Sequence, residues 1–319
     1  MTRFILPVVL SASIPQVALA FAVETVMVGK VRRHLQFDAQ AVGPLAPAAG
    51  PFEFFAAVGG GSLGAIVPPR VTGPINNTAP GHSAGQLGFR LDANEWGYGA
   101  PDFDGWRTGS QGDLDALFGN GTYSVRVTGS DIAITLAGDL YPSTNPRVEV
   151  SGGAWIADGV YRVREGAPVT LSIEQFGEFR QHALGILSLT ASRGSEWFEE
   201  MRTSRDSANG RLVLAIAEGN LQPGGDFLVS AWFASASTFR LGIAGNPSAA
   251  IAGVYANETR FALRVTDIAD LDADGRVSGS DLGLLLGEWG QCGSCDADLN
   301  GDGTVSGADL GLLLGRWTA

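Results

Sequence analysis

Thr122-Tyr-Ser-Val-Arg-Val-Thr128 sets Tyr123, Val125 and Val127 on one side of an extended chain and polar residues on the other. Side chains alternate across a strand, so a period of two carried by aromatic and β-branched residues marks a half-buried β-strand. The alternation recurs in Val169-Thr-Leu-Ser-Ile173, Leu212-Val-Leu-Ala-Ile216, Phe227-Leu-Val-Ser-Ala-Trp232 and Arg260-Phe-Ala-Leu-Arg-Val265. Helical spacing is brief there, as in Asp113-Leu-Asp-Ala-Leu-Phe118 and Ser195-Glu-Trp-Phe-Glu-Glu-Met201. Short strands separated by turn residues predict a mainly β protein of sandwich architecture.

Residues 21–266 are long enough for one large sandwich or two small ones. An imperfect echo favours two: Leu117-Phe-Gly-Asn-Gly-Thr-Tyr123 and Leu221-Gln-Pro-Gly-Gly-Asp-Phe227 each run through a glycine turn to an aromatic. The second resembles a corner of fibronectin type III modules, where an aromatic after a turn pins the entry to a late strand. The sequence therefore predicts tandem immunoglobulin- or fibronectin-like sandwiches over 21–150 and 151–266, with Tyr141-Pro-Ser-Thr-Asn-Pro146 near their boundary.

The tail repeats itself. Asp270-Leu-Asp-Ala-Asp-Gly-Arg-Val-Ser-Gly-Ser-Asp281-Leu-Gly-Leu-Leu-Leu-Gly-Glu-Trp289 returns 28 positions later as Asp298-Leu-Asn-Gly-Asp-Gly-Thr-Val-Ser-Gly-Ala-Asp309-Leu-Gly-Leu-Leu-Leu-Gly-Arg-Trp317. Each copy places oxygen-bearing side chains at loop positions one, three, five and twelve. Calcium takes six to eight oxygen ligands, and alternate residues of a tight loop can turn carboxylates toward one point. Asp270, Asp272, Asp274 and Asp281 supply the first loop, with the Arg276 carbonyl and a water near Ser278. Asp298, Asn300, Asp302 and Asp309 supply the second, with Thr304 and Ser306 in the minor roles. Gly275 and Gly303 permit the positive φ of the turn, and Val277 and Val305 are placed to pair backbone to backbone. An apolar run of helical spacing follows each loop.

Residues 267–319 resemble type I dockerin modules, small calcium-folded domains by which secreted polysaccharide-degrading enzymes dock onto cohesin-bearing scaffolds. The resemblance implies a small α-helical domain that binds two calcium ions and is received by a protein partner, of cohesin type in the family. The chain departs from the family at the recognition positions. Where the family carries Ser or Thr at loop positions ten and eleven and a Lys-Arg pair on the helix, this chain reads Gly279, Ser280, Leu286 and Gly287 in the first copy, and Gly307, Ala308, Leu314 and Gly315 in the second. The receptor is therefore left unidentified.

The segment carries −8 of the chain's net charge of −12. That acidity argues against a nucleic-acid partner, whose phosphates call for basic surfaces. Cys292-Gly-Ser-Cys295 holds both cysteines. It lacks the βαβ setting of a redox pair and the further ligands of a zinc site, which leaves a small disulfide of an oxidising compartment or two free thiols. Residues 1–20 read as a signal peptide: Arg3, an apolar stretch from Phe4 to Leu10, and Ala18-Leu-Ala20 as the cleavage site. No later stretch is long and apolar enough to span a membrane.

Catalytic signatures are weak. His34, His82 and His182 are scattered, and the GxSxG spellings at Ser62 and Ser83 lack the strand-to-helix setting of a nucleophile elbow. The stretch from Asp92 to Trp106 mixes acids with aromatics, so Glu95, Trp96, Tyr98 and Trp106 are candidates for carbohydrate contact. An ordinary loop covering a sandwich edge has the same composition. The expectation is a secreted, non-catalytic binding or display protein that attaches to an extracellular assembly or surface. The alternative is a secreted glycoside hydrolase or carbohydrate-binding protein docked through the same module, with a polysaccharide as ligand.

Overall fold

The computed structural model describes residues 23–61, 63, 68–76, 87–90, 95–98, 106–127, 129–243, 246–292 and 295–318. The expected leader, residues 1–20, and the serines at 62 and 83 lie outside the described residues, as do Asp102, Asp104 and the side chain of Glu95. The architecture is mainly β. Its principal strands are β1 (Thr25–Gln36), β2 (Phe52–Gly59), β3 (Gly121–Val127), β4 (Ser130–Leu136), β5 (Val169–Ile173), β6 (Leu184–Arg193), β7 (Leu212–Ile216), β8 (Phe227–Ile243) and β9 (Asn246–Thr266). The α-helices among the described residues are α1 (Gln111–Leu117), α2 (Gly279–Gly287) and α3 (Gly307–Gly315).

One 12-stranded sheet dominates, with the order Glu196–Thr203, β6, β8, β9, β1, β2 along its middle and the short strands Glu95–Gly97 and Gly88–Arg90 beyond. Two three-stranded sheets, Arg70–Thr72 with β3 and β4, and Glu149–Ser151 with β5 and β7, accompany it. Alternation decides how they pack. Val26 and Val28 of β1, Phe54, Ala56 and Val58 of β2, and Ile251 and Tyr255 of β9 meet Tyr123, Val125, Val127, Ile132 and Ile134 of the first small sheet. Farther along β9, Phe261, Leu263 and Val265 join Phe227, Val229, Leu187 and Leu189 against Leu171, Ile173, Leu212 and Leu214 of the second. The odd-numbered residues of one strand thus serve two cores. Its even-numbered Ala250, Ala252, Val254 and Ala256 build a third cluster with Met27, Val31, Phe55 and Trp232 on the opposite face. Gly29 is required there, because a Cβ on it would lie 2.6 Å from both the Phe55 ring and Val254.

This topology corrects the expected division at residue 150. β9 pairs in parallel with β1 from Thr25↔Ala250 to Leu35↔Arg260, so the two halves share a sheet instead of closing as separate sandwiches. The Tyr141–Pro146 stretch is held rather than free: buried Asn257 of β9 donates from Nδ2 to the carbonyls of Pro142 at 2.8 Å and Thr144 at 3.0 Å. No described helix is long and apolar enough to cross a membrane.

Candidate metal centre

Each tail loop is built by side chains that fold the backbone onto themselves. Asp272 Oδ1 accepts from the N–H of Asp274 at 3.1 Å, and Asp274 Oδ1 from Arg276 at 2.8 Å. Asn300 and Asp302 repeat the pattern at 2.9 Å each, to Asp302 and Thr304. Such bonds two residues on are how Asp and Asn stabilise turns, and here they hold alternate side chains on the inner side of the loop. Gly275 (φ +91°) and Gly303 (φ +86°) occupy the left-handed conformation. So do Gly301 (φ +73°) and, at the matching position of the first copy, Ala273 (φ +63°).

The twelfth residues connect loop to helix. Asp281 Oδ2 accepts from the Ser278 N–H at 2.7 Å while Oδ1 accepts from Leu271 and Asp272 at 2.7 and 3.1 Å. Asp309 does the same with Ser306, Leu299 and Asn300 at 2.8, 2.9 and 3.1 Å. Both complete capping boxes with Ser278 and Ser306 at the starts of α2 and α3, satisfying N–H groups that a helix leaves unpaired. Burial opposes the charge of Asp309, but the N–H groups of Ser306, Asn300 and Leu299 outweigh it and hold its carboxyl below the usual range.

The first loop gathers Asp270, Asp272 and Asp274 so that one carboxylate oxygen of each lies within 4.8 Å of the others. Asp270 is buried; its Oδ2 accepts from Gly275 at 3.1 Å, and its Oδ1 has no hydrogen-bond partner among the described residues. A buried carboxylate oxygen left unpaired costs on the order of 1–3 kcal/mol or more. Burial first, and then the charges of Asp281, Asp272 and Asp274, push the Asp270 carboxyl above its ordinary range. The donors are oxygens throughout, with no thiolate or imidazole, which suits a hard divalent cation of calcium's size. The residues that would hold it are Asp270, Asp272, Asp274, Asp281 and the backbone of Arg276.

The second loop is more self-contained. Asp298 Oδ1 accepts from Gly301 at 2.9 Å and Oδ2 from Gly303 at 2.7 Å, while Asn300 Nδ2 donates to Asp302 Oδ2 at 2.9 Å. Replacing an aspartate by Asn300 removes one negative charge and supplies a donor, so these side chains partly satisfy one another. Asp298, Asn300, Asp302, Thr304 and Asp309 are the corresponding ligand candidates.

The loops are joined reciprocally, in a way the sequence reading missed. Val277 and Val305 do not pair with each other. Val305 pairs with Gly290, just past α2. Val277 exchanges bonds with Thr318, just past α3: its N–H donates to Thr318 Oγ1 at 2.8 Å, and the Thr318 N–H donates to its carbonyl at 2.9 Å. Each loop is closed by the segment following the other copy's helix, and the valine side chains are free to enter the core. That core contains the repeat-related pairs Ala269 and Ala297, Val277 and Val305, and Leu285 and Leu313. Cys292 and Cys295 are bonded to each other, with Cα atoms 5.8 Å apart. The module also contacts the β region: Arg316, which pairs with Asp267 of the module, pairs with Glu165 as well, and Arg164 pairs with Asp296 at 2.9 Å.

The module exposes what a small domain would be expected to bury. Leu284, Leu286 and Trp289, and their counterparts Leu312, Leu314 and Trp317, are exposed between 42% and 52%. They are six of the nine large hydrophobic residues exposed among the described residues, so the apolar surface is concentrated on the repeat. Gly283, Gly287, Gly311 and Gly315 have open space where a Cβ would stand.

The aromatic candidates for carbohydrate contact are placed differently. Trp96 is buried and donates from Nε1 to the Leu63 carbonyl at 3.1 Å. Tyr98 is 1% exposed and meets Phe54 edge to face at a centroid distance of 6.0 Å. Both rings belong to the core beneath the first small sheet, so neither offers a face to a sugar; Trp106 is half-buried at the margin of the same core. Alternation alone cannot separate a buried edge strand from a binding loop. No protein-family model matches this chain, and no curated protein matches it.

Proposed function

We propose that this chain is a secreted, non-catalytic binding or display protein whose tail folds around two calcium ions and attaches it to an extracellular assembly or surface. The observation that carries the reading is that buried Asp270, whose Oδ1 finds no hydrogen-bond partner among the described residues, has its carboxylate clustered with those of Asp272 and Asp274. Hydrogen bonds fix these carboxylates in place, and a dication would supply the charge that their mutual repulsion lacks. The resemblance of residues 267–319 to dockerins supports attachment as the purpose.

The exposed repeat supports it too. Isolated exposed leucines are ordinary, whereas a concentrated apolar surface marks an interaction site. Here three residues of one copy are matched by three of the other. A receptor of apolar character would suit them better than the polar contacts made by a Lys-Arg pair.

Calorimetric titration of the chelator-treated protein should find two calcium sites. Asp270→Ala together with Asp298→Ala should abolish both, and chelator should lower the melting temperature of the unsubstituted protein alone. Ligand present at a hundredfold its dissociation constant stabilises a site by about 2.7 kcal/mol. Absence of heat on calcium addition, with no shift in melting, would sink the reading.

A further inference from the structure

Lys30 is the only lysine of the sequence, whose Lys and Arg together number 21. It projects from β1, is fully buried, and places Nζ 2.6 Å from Asp115 Oδ1 and 3.0 Å from Asn120 Oδ1. Asp115 lies on α1, and Asn120 in the turn entering β3. Tyr255 Oη of β9 donates to the same Asn120 Oδ1 at 2.8 Å, and Asn120 Nδ2 donates to Asp139 Oδ1 at 2.9 Å. All three partners agree on the amide's orientation: two donors face its oxygen and an acceptor faces its nitrogen.

We propose that Lys30 and Asn120 join in an intramolecular isopeptide bond, formed by the chain itself with Asp115 as acid–base group. Asp115 Oδ1 takes a proton from the ammonium, and the neutral Nζ attacks Cγ of Asn120. Charge developing on Oδ1 is held by the Tyr255 hydroxyl, the role of an oxyanion donor. The new Nζ–Cγ bond forms as the Cγ–Nδ2 bond breaks, Nζ giving up its surplus proton and Nδ2 leaving as ammonia. The ammonia carries away the proton that Asp115 accepted, so ammonium and a neutral amide replace ammonium and a carboxamide. No oxidant, metal or cofactor enters the balance.

The surroundings favour this chemistry. Bringing a nucleophile and an electrophile into near contact replaces an encounter by a fixed geometry. The turn is rigid: Tyr123 Oη donates back to the Gly119 carbonyl at 2.6 Å, and Phe118 stacks on Phe54 with centroids 4.2 Å apart. Gln111 Nε2 holds Asp115 Oδ1 at 3.0 Å. Burial pushes the Tyr255 phenol upward, with the Asp139 and Asp115 charges adding to it, so the hydroxyl stays a donor. Asn120 is exposed, leaving ammonia a way out. An arginine could supply charge here but could not become a nucleophile, which accounts for a lysine in a chain that otherwise uses arginine. The bond would tie the first small sheet to the large one across a sequence separation of 90 residues.

Intact mass of the purified full chain, with its disulfide reduced, should fall short of the mass of its residues by one ammonia, and tandem mass spectrometry of a digest should find a branched peptide joining Lys30 to Asn120. Lys30→Arg and Asp115→Asn should each restore the full mass. Asn120 precedes Gly121, and cyclisation of that peptide bond loses the same mass. A deficit that persists in Lys30→Arg would therefore overturn the proposal, as would a wild-type chain of full mass. Loss of water with a branch at Asp115 would also overturn it, by moving the electrophile from amide to acid.

Discussion

At the scale of single residues, the chain buries charge where the sequence gives no notice of it. Arg33 Nε meets Glu258 Oε2 at 3.0 Å, Arg33 also pairs with Glu53, and Arg260 Nε meets Glu258 Oε1 at 2.6 Å. Burial raises the Glu53 carboxyl to about 7, outweighing Arg33 and Arg107. Burial opposes Glu258 as well, but Arg260 and Arg33, with hydrogen bonds from Arg260 and Ser230, overcome it and hold that group at about 2. The two carboxylates therefore pull stability in opposite directions. Glu258 contributes fully above its ordinary 4.5 and loses that contribution as pH falls toward 2. Glu53 favours the folded state below 4.5 and loses that advantage as pH rises through 7, because the folded protein then binds more protons than the unfolded chain. Melting temperature measured from pH 4.5 to 7 should decline in the parent and decline less in Glu53→Gln; parallel profiles would show that Glu53 ionises without cost. Asp270 shows the same limit of sequence reading from the other side: its ligand role follows from spacing, but its orphaned oxygen is visible only once the loop is folded.

At the scale of elements, period-two patterns located strands because one face of each strand is buried. Tyr123, Val125 and Val127 point where the alternation placed them. Pairing partners were not legible, since they depend on contacts distant in sequence. The tail shows both sides of this. The repeat announced two loops and two helices, yet their connection through Gly290 with Val305 and Thr318 with Val277 needed the fold. The glycines of α2 and α3 invite a test at this scale. Glycine within a helix costs about 0.5–1 kcal/mol relative to alanine, and among the described residues nothing lies within 4 Å of where a Cβ on Gly283 or Gly311 would stand. Gly283→Ala with Gly311→Ala should therefore raise the module's melting temperature in calcium. If a receptor packs against these helices, the same pair should weaken capture by the producing cell's envelope fraction in a pull-down. Lower stability in the double variant would mean that the glycines serve the helices themselves.

At the scale of the whole molecule, the misjudged boundary has a physical origin. Two clusters each with the makings of a sandwich core do exist, and composition reports those clusters faithfully. It cannot report that a single strand, β9, passes through both, because parallel pairing with β1 joins residues more than two hundred positions apart. The consequence is thermodynamic coupling. A fragment of residues 21–150 would leave β1 without β9 and the first core without Ile251 and Tyr255. A fragment of residues 151–266 would keep β5 to β9 but expose the edge of β9 that β1 covers, an unpaired strand open to association. Separate sandwiches would each fold cooperatively when expressed alone. With the shared sheet, the first fragment should lack a cooperative thermal transition and the second should aggregate or melt well below the intact protein, while mixing the two during refolding should recover the native transition. Circular dichroism melting of each fragment and of the mixture distinguishes the cases: two independent transitions that sum to the parent's would restore the division at residue 150.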